Sequence, residues 1–213
     1  MAVAVFAITG ALMASRKQMD IFGFVMLGTV TGVGGGSLRD LLLGVPVFWV
    51  SAPSYVVTCV TAAALTYFLA HLVQSRYRVI LWLDAVGLAL FAVLGAQKAL
   101  TVEAVPIIAV VMGVMSSTFG GIIRDVVSGE VPLLLRREIY VTAALAGSVV
   151  FVAMVAGFGL DIRIAGASEF ICCFAVCGFA LQFGWSLPIY KSLPERTQEE
   201  FEELGVLSKE DES

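Results

Sequence analysis

Seven runs of apolar residues, each bounded by charges, proline or glycine, occupy most of this 213-residue chain. They lie at Met1 to Ala14, Met19 to Gly36, Ser51 to Val73, Ile80 to Gln97, Ala104 to Gly121, Glu138 to Gly157 and Ser168 to Leu187. A helix that crosses a bilayer needs about 20 such residues, because it rises about 1.5 Å per residue through a hydrocarbon core about 30 Å thick. The expected fold is therefore an all-α integral membrane protein of seven transmembrane helices joined by short loops. Composition agrees: 59% of residues are hydrophobic and 14% charged, against roughly a half and a quarter in soluble domains. The first run is short of a full crossing, which fits a chain that begins late in its first helix. A cleaved signal peptide is the rival reading, but another apolar run follows at once and no convincing cleavage motif separates them.

Charge narrows the function classes. The formal net charge is −4, yet the stretch from Glu195 to Ser213 carries eight acids and two bases, so the body before it is slightly basic. That acidic end, residues 191–213, reads as a disordered cytoplasmic tail. No clustered Lys/Arg face of the kind that binds nucleic acid is present. Cys59, Cys172, Cys173 and Cys177 all sit in apolar stretches, where a thiol behaves as a small hydrophobe, and the one histidine, His71, stands near the end of an apolar run. No metal, cofactor or enzymatic reaction is expected, since no Ser or Cys has the neighbouring base that nucleophilic catalysis requires. By side, Arg16, Lys17, Arg76, Arg78, Arg124, Arg136, Arg137 and Lys191 oppose Arg39, Lys98 and Arg163. The positive-inside rule then places the C-terminus in the cytoplasm and the N-terminus outside.

An offset of 85 positions superposes Phe6-Ala7 on Phe91-Ala92, Gly10-Ala11 on Gly95-Ala96 and Gly28 on Gly113. The same shift brings Gly35-Gly36 onto Gly120-Gly121, Arg39-Asp40 onto Arg124-Asp125, and Gly44 onto Gly129. With three runs per copy, the second copy enters the membrane from the opposite side, which gives inverted repeats. The expected organisation is a first three-helix repeat over 1–79, an inverted second over 80–164, a seventh helix over 165–190, and the tail.

Each copy's second helix ends in glycines followed by Arg-Asp: Gly34-Gly35-Gly36-Ser37-Leu38-Arg39-Asp40 and Gly120-Gly121-Ile122-Ile123-Arg124-Asp125. Glycine costs a helix interior about 1 kcal/mol relative to alanine, so the clusters invite a break or kink in the second and fifth helices, and corresponding broken helices mark transport sites. Thr31, Ser37, Ser116 and Ser117 are candidate hydroxyl linings of a pore there. The competing reading is packing, since Gly28, Gly32 and Gly36, and Gly113, Ser117 and Gly121, are spaced by four. The Arg-Asp pairs are either buried partners of one another or loop charges at the membrane surface, with Leu41 to Leu43 and Gly44-Val45-Pro46 as an interfacial piece. Asp84 is either a buried partner for an arginine or a surface cap; its counterpart at the 85-residue offset would precede Met1. Lys98 is either a snorkelling anchor or a charge that feels the membrane field.

The paired glycine and Arg-Asp motifs, with Gly44-Val45-Pro46, Gly129-Glu130-Val131-Pro132-Leu133 and Phe91-Ala92-Val93-Leu94-Gly95-Ala96-Gln97-Lys98, resemble the prokaryotic branch of the trimeric intracellular cation (TRIC) channel family, also labelled a glycine transporter family. The resemblance covers about Ala2 to Leu187. It implies a seven-helix protomer, a homotrimer with one pore per protomer in the inner membrane, and permeation by monovalent cations, K⁺ first and Na⁺ second. It also implies glycine-rich bends bordering the pore, here Gly34 to Gly36 and Gly120 with Gly121. Lys98 is the nearest candidate for the basic residue that the eukaryotic branch ties to voltage and lipid response; membrane lipid is the other expected partner. The rival functions are a secondary carrier for glycine or another small zwitterion, and a membrane scaffold whose glycines only pack.

Overall fold

The structure is a computed structural model, described here over residues 1–73, 75–132 and 139–183. Eight α-helices follow in order among the described residues: α1 (Ala2–Arg16), α2 (Ile21–Leu42), α3 (Phe48–Ser51), α4 (Ser54–Leu69), α5 (Arg76–Thr101), α6 (Pro106–Val127), α7 (Ile139–Val152) and α8 (Ile162–Phe183). A 3₁₀ turn at Ala70–Leu72 extends α4, and a π-helical turn at Ala153–Gly157 extends α7. The expected ends of the sixth and seventh runs, Glu138 and 184–187, lie outside the described residues, as does the acidic tail.

Six helices are long and apolar enough to cross a membrane, of 19 to 26 residues with the appended turns. The seventh expected span, α1, falls short: its 15 residues rise about 22 Å at about 1.5 Å each. It is nonetheless a central helix, packed against α2, α4 and α5, with Ala7, Ala11 and Ala14 wholly buried. The bundle is apolar on the outside, where Phe22, Met26, Phe68, Ile107, Ile171 and Phe179 are exposed, while Arg39, Asp40, Asp84, Arg124, Asp125 and Glu169 are buried. That inversion suits a lipid solvent, in which ionisable groups turn inward.

Helix ends follow local chemistry. The Asp20 carboxylate accepts from the Gly23 N–H at 2.8 Å and caps α2, a contact worth about 1 kcal/mol. Pro106 opens α6, where a missing N–H costs nothing. At the other end of α2, Gly44 takes φ +65°, its N–H bonds to Leu41 O, and the Val45 N–H bonds back to Asp40 O. The end of α6 repeats this with Gly129 at φ +68°, bonding Val126 O, and Glu130 bonding Asp125 O. Both are Schellman stops, which need a left-handed residue that glycine supplies without strain.

The expected breaks at Gly34 to Gly36 and at Gly120 with Gly121 do not occur, because α2 and α6 run unbroken through them to Leu42 and Val127. The glycines serve close approach instead. A Cβ on Gly35 would collide with the Ser116 carbonyl oxygen, and one on Gly120 would lie 2.7 Å from the Thr31 carbonyl oxygen. Gly36 lies against the Phe48 ring and Gly34 against Ile123. The contacts are reciprocal: Gly10 meets Leu27 O, Gly28 and Thr31, while Gly95 meets Met112 O, Gly113 and Ser116, every pair 85 positions apart. Gly121 has open space where a side chain would stand.

Since α2 and α6 continue past the glycines, the Arg-Asp pairs are helical and buried, with Arg39, Asp40, Arg124 and Asp125 at 7, 0, 1 and 2% exposure. They are not loop charges at the membrane surface. The run expected from Ser51 to Val73 starts as α4 only at Ser54, because Ala52 and Pro53 separate it from the short α3, which ends at Ser51. α3 is tied to α2, because the Phe48 N–H donates to Asp40 Oδ2 at 2.8 Å.

Candidate functional site

The two arginines hold corresponding places on α2 and α6 but have different company. Arg39 donates through Nε to Asp40 Oδ1 at 2.8 Å, its Nη2 stands 2.7 Å from the same oxygen, and its guanidinium carbon lies 5.9 Å from the centre of the Phe48 ring. Arg124 makes the equivalent contacts to Asp125 Oδ1, at 2.9 and 2.8 Å. In addition its Nη1 donates to Asp84 Oδ1 on α5 at 2.6 Å and to Thr9 Oγ1 on α1 at 3.1 Å. Asp84 is thus the buried partner of an arginine, and three helices, α1, α5 and α6, meet at Arg124 through its fork of donors. A buried cation held by two carboxylates is strongly position-determining, since losing one partner strands charge in a low-dielectric medium.

Space is distributed as unequally as charge. A cavity of about 710 Å³ opens beside Arg39, lined also by Val3, Phe48, Phe91 and Lys98. Further along α1, a cavity of about 30 Å³ is lined by Phe6, Asp84, Ser117, Gly121 and Arg124. Beyond that, one of about 20 Å³ is lined by Met13, Arg16, Arg124, Asp125 and Glu130. Val3, Phe6, Met13 and Arg16 follow one another along α1 over about 20 Å at about 1.5 Å per residue, so the three spaces are strung along that helix. The rings of Phe6 and Phe91, stacked with centroids 5.1 Å apart and planes 12° apart, stand between the first and second. Arg124 and Asp125 stand between the second and third.

Only part of the expected pore lining meets these spaces. Gly121 and Ser117 line the second cavity. Thr31 is buried with its hydroxyl donating to Leu27 O at 2.5 Å, and Ser116 is buried between Gly35 and Gly95. Ser37 donates to Val33 O at 2.7 Å and accepts from Trp49 Nε1 at 2.8 Å, pinning α3 to α2. Gly34, Gly35, Gly36 and Gly120 lie at helix contacts. Lys98 is exposed on the wall of the large cavity. Sequence reasoning missed Thr9 as a ligand of Arg124 and the roles of Phe6 and Phe91, although the offset that superposes the two phenylalanines was a usable signal.

A protein-family model described as Glycine transporter matches residues 1–71 and 81–156. The chain belongs to that family. The inner membrane protein YadS of Escherichia coli K12, a UPF0126 protein, is 41% identical over 192 residues, which cover 88% of this chain and 91% of YadS. Among solved structures, the TRIC trimeric intracellular cation channel orthologue from Rhodobacter sphaeroides aligns with a TM-score of 0.84 at 55% identity, covering 86% of this chain and 95% of that one. Another, described in work on conductance through TRIC cation channels, aligns at 0.81 and 34% identity, covering 90% and 95%. The glycine-transporter family and the TRIC resemblance seen in the motifs therefore coincide in this chain.

Proposed function

We propose that this glycine-transporter-family protein is a monovalent-cation channel, K⁺ being the principal ion, with a pore inside each protomer of a homotrimer in a prokaryotic inner membrane. The observation that carries the reading is the row of cavities along α1, with the Phe6–Phe91 stack and the Arg124 cluster between them. The path so marked differs from one through glycine breaks: it passes the Phe6–Phe91 stack and then the Arg124 cluster, both closed here. At the second, the carboxyl groups of Asp84 and Asp125 line the cavity beside Arg124, and acidic groups on a path suit a cation over an anion. The likeness to TRIC cation channels supports the same reading.

The reciprocal glycine contacts 85 residues apart support two inverted halves, as does the position of Arg39 and Arg124 toward opposite ends of α1. With the positive-inside rule, the wide cavity then faces outward and the Arg124 cluster inward. Lys98, exposed on the wide cavity, is the residue through which membrane voltage or an anionic lipid acts on the path. Asp84→Asn, which loosens the inner closure, raises open probability in single-channel recordings of the purified protein, and selectivity for K⁺ over Cl⁻ persists. Saturable glycine uptake without unitary currents would contradict the channel and favour the carrier.

A further inference from the structure

One further buried acid lies away from this path. Glu169, on α8, is wholly buried. Its Oε1 accepts from the Ser148 hydroxyl of α7 at 3.2 Å, and its Oε2 has no partner. Gly147 of α7 packs on the Glu169 Cγ, and Gly113 of α6 makes room for the Ser148 hydroxyl, which is wedged between α6 and α8. The position is built. It is also related to Asp84, which precedes it by 85 residues, as Arg78 precedes Arg163.

The two acids differ in their counter-ion. Asp84 has Arg124 at 2.6 Å, whereas no ion pair among the described residues includes Glu169. The elements packed on α8 offer none: α7 and the turn after it carry Tyr140 as their one titratable group, and its hydroxyl donates to Leu81 O. On α5, Asp84 is engaged by Arg124, Lys98 is exposed at the large cavity, and Arg76, Tyr77 and Arg78 lie in its first turn. On α8 itself the neighbours are Cys172, Cys173 and Cys177, with Arg163 one residue from its start. A lone carboxylate in such surroundings costs several kcal/mol or more, and a group in that position takes up a proton instead.

We propose that Glu169 is a proton-binding site inside the helix bundle, a carboxylic acid that keeps α7 against α8 through Ser148 and carries its proton at neutral pH. A protonated carboxyl remains an acceptor at Oε1 for the Ser148 hydroxyl and is a donor at Oε2. Proton loss would put a bare negative charge between α7 and α8, so the site couples proton release to separation of those helices.

The test uses dicyclohexylcarbodiimide, an apolar reagent that reaches acids within the bilayer. The carboxylic O–H adds across one C=N bond, the oxygen bonding to the central carbon and the proton passing to nitrogen, and the acyl group then migrates to nitrogen with nothing lost. The full chain in liposomes is treated at pH 7.5 and its peptides are read by mass spectrometry. An adduct on Glu169, absent on Asp84 and lost in Glu169→Gln, is the expected result. No adduct on Glu169, or equal labelling of Asp84, overturns the proposal. Infrared difference spectra give an independent reading, with Glu169→Asp as the variant that retains an acid if the glutamine variant fails to fold. Wild type minus Glu169→Gln is expected to show loss of a protonated-carboxyl C=O band, and loss of a carboxylate band overturns it.

Discussion

If the glycines of α2 and α6 exist for close approach, their replacement by alanine must depend on what stands opposite each one. Gly35 and Gly121 are both helical, so each alanine gains about 0.5–1 kcal/mol from the reduced freedom of the unfolded chain. Gly121 has nothing within 4 Å of a new Cβ, and Gly121→Ala keeps that gain. At Gly35 the methyl would collide with the Ser116 carbonyl oxygen and also lie 3.3 Å from the Gly120 nitrogen. Those atoms are backbone on a packed helix and cannot swing aside, so overpacking costs about 1–3 kcal/mol. The two variants should thus differ by about 1–3 kcal/mol, with Gly121→Ala the more stable. For a chain of this size that is a gap of about 2–12 °C in Tm, at about 2–4 °C per kcal/mol. Gly120→Ala, facing the Thr31 carbonyl oxygen and the Phe6 ring, falls on the Gly35 side. The assay is thermal unfolding of the purified variants in one detergent, followed by circular dichroism. Equal shifts for Gly35→Ala and Gly121→Ala would refute the reasoning and return the glycines to a role in helix bending.

Arg124→Gln strands Asp84 and takes one partner from Asp125, and costs about 3–5 kcal/mol; adding Asp84→Asn recovers about 1–3 kcal/mol of it in a double-mutant cycle, and additive losses would count against the cluster. Gly44→Ala and Gly129→Ala each lose about 1–2 kcal/mol, because both positions hold positive φ; unfolding midpoints check this, and no loss would contradict the Schellman stops. Phe91→Ala removes one ring of the stack between the first two cavities, so unitary conductance or open probability rises while cation preference is kept, as read from currents in bilayers.

The apolar runs and the 85-residue offset made the helix order legible, and the same offset matches both ends of α2 and α6. What the sequence could not decide was the meaning of glycine. Three in a row favour a break by propensity and a close contact by packing, and the choice depends on whether a carbonyl such as that of Ser116 stands opposite, which is tertiary information. The depth of Arg39 and Arg124 was hidden for the same reason: ending the helix at the glycines left it open whether the pairs were buried or lay in loops. Asp84 could be named as a partner for an arginine because a lone acid in an apolar run needs one. Glu169 carried the same signal one repeat-length later and was overlooked.

The central claim is cation conduction through each protomer, and the reversal potential of the purified wild-type protein in a planar bilayer under a KCl gradient tests it most directly. The account predicts discrete openings whose current reverses near the K⁺ equilibrium potential. Reversal near the Cl⁻ potential, or a silent bilayer from protein shown to be folded and inserted, would contradict it.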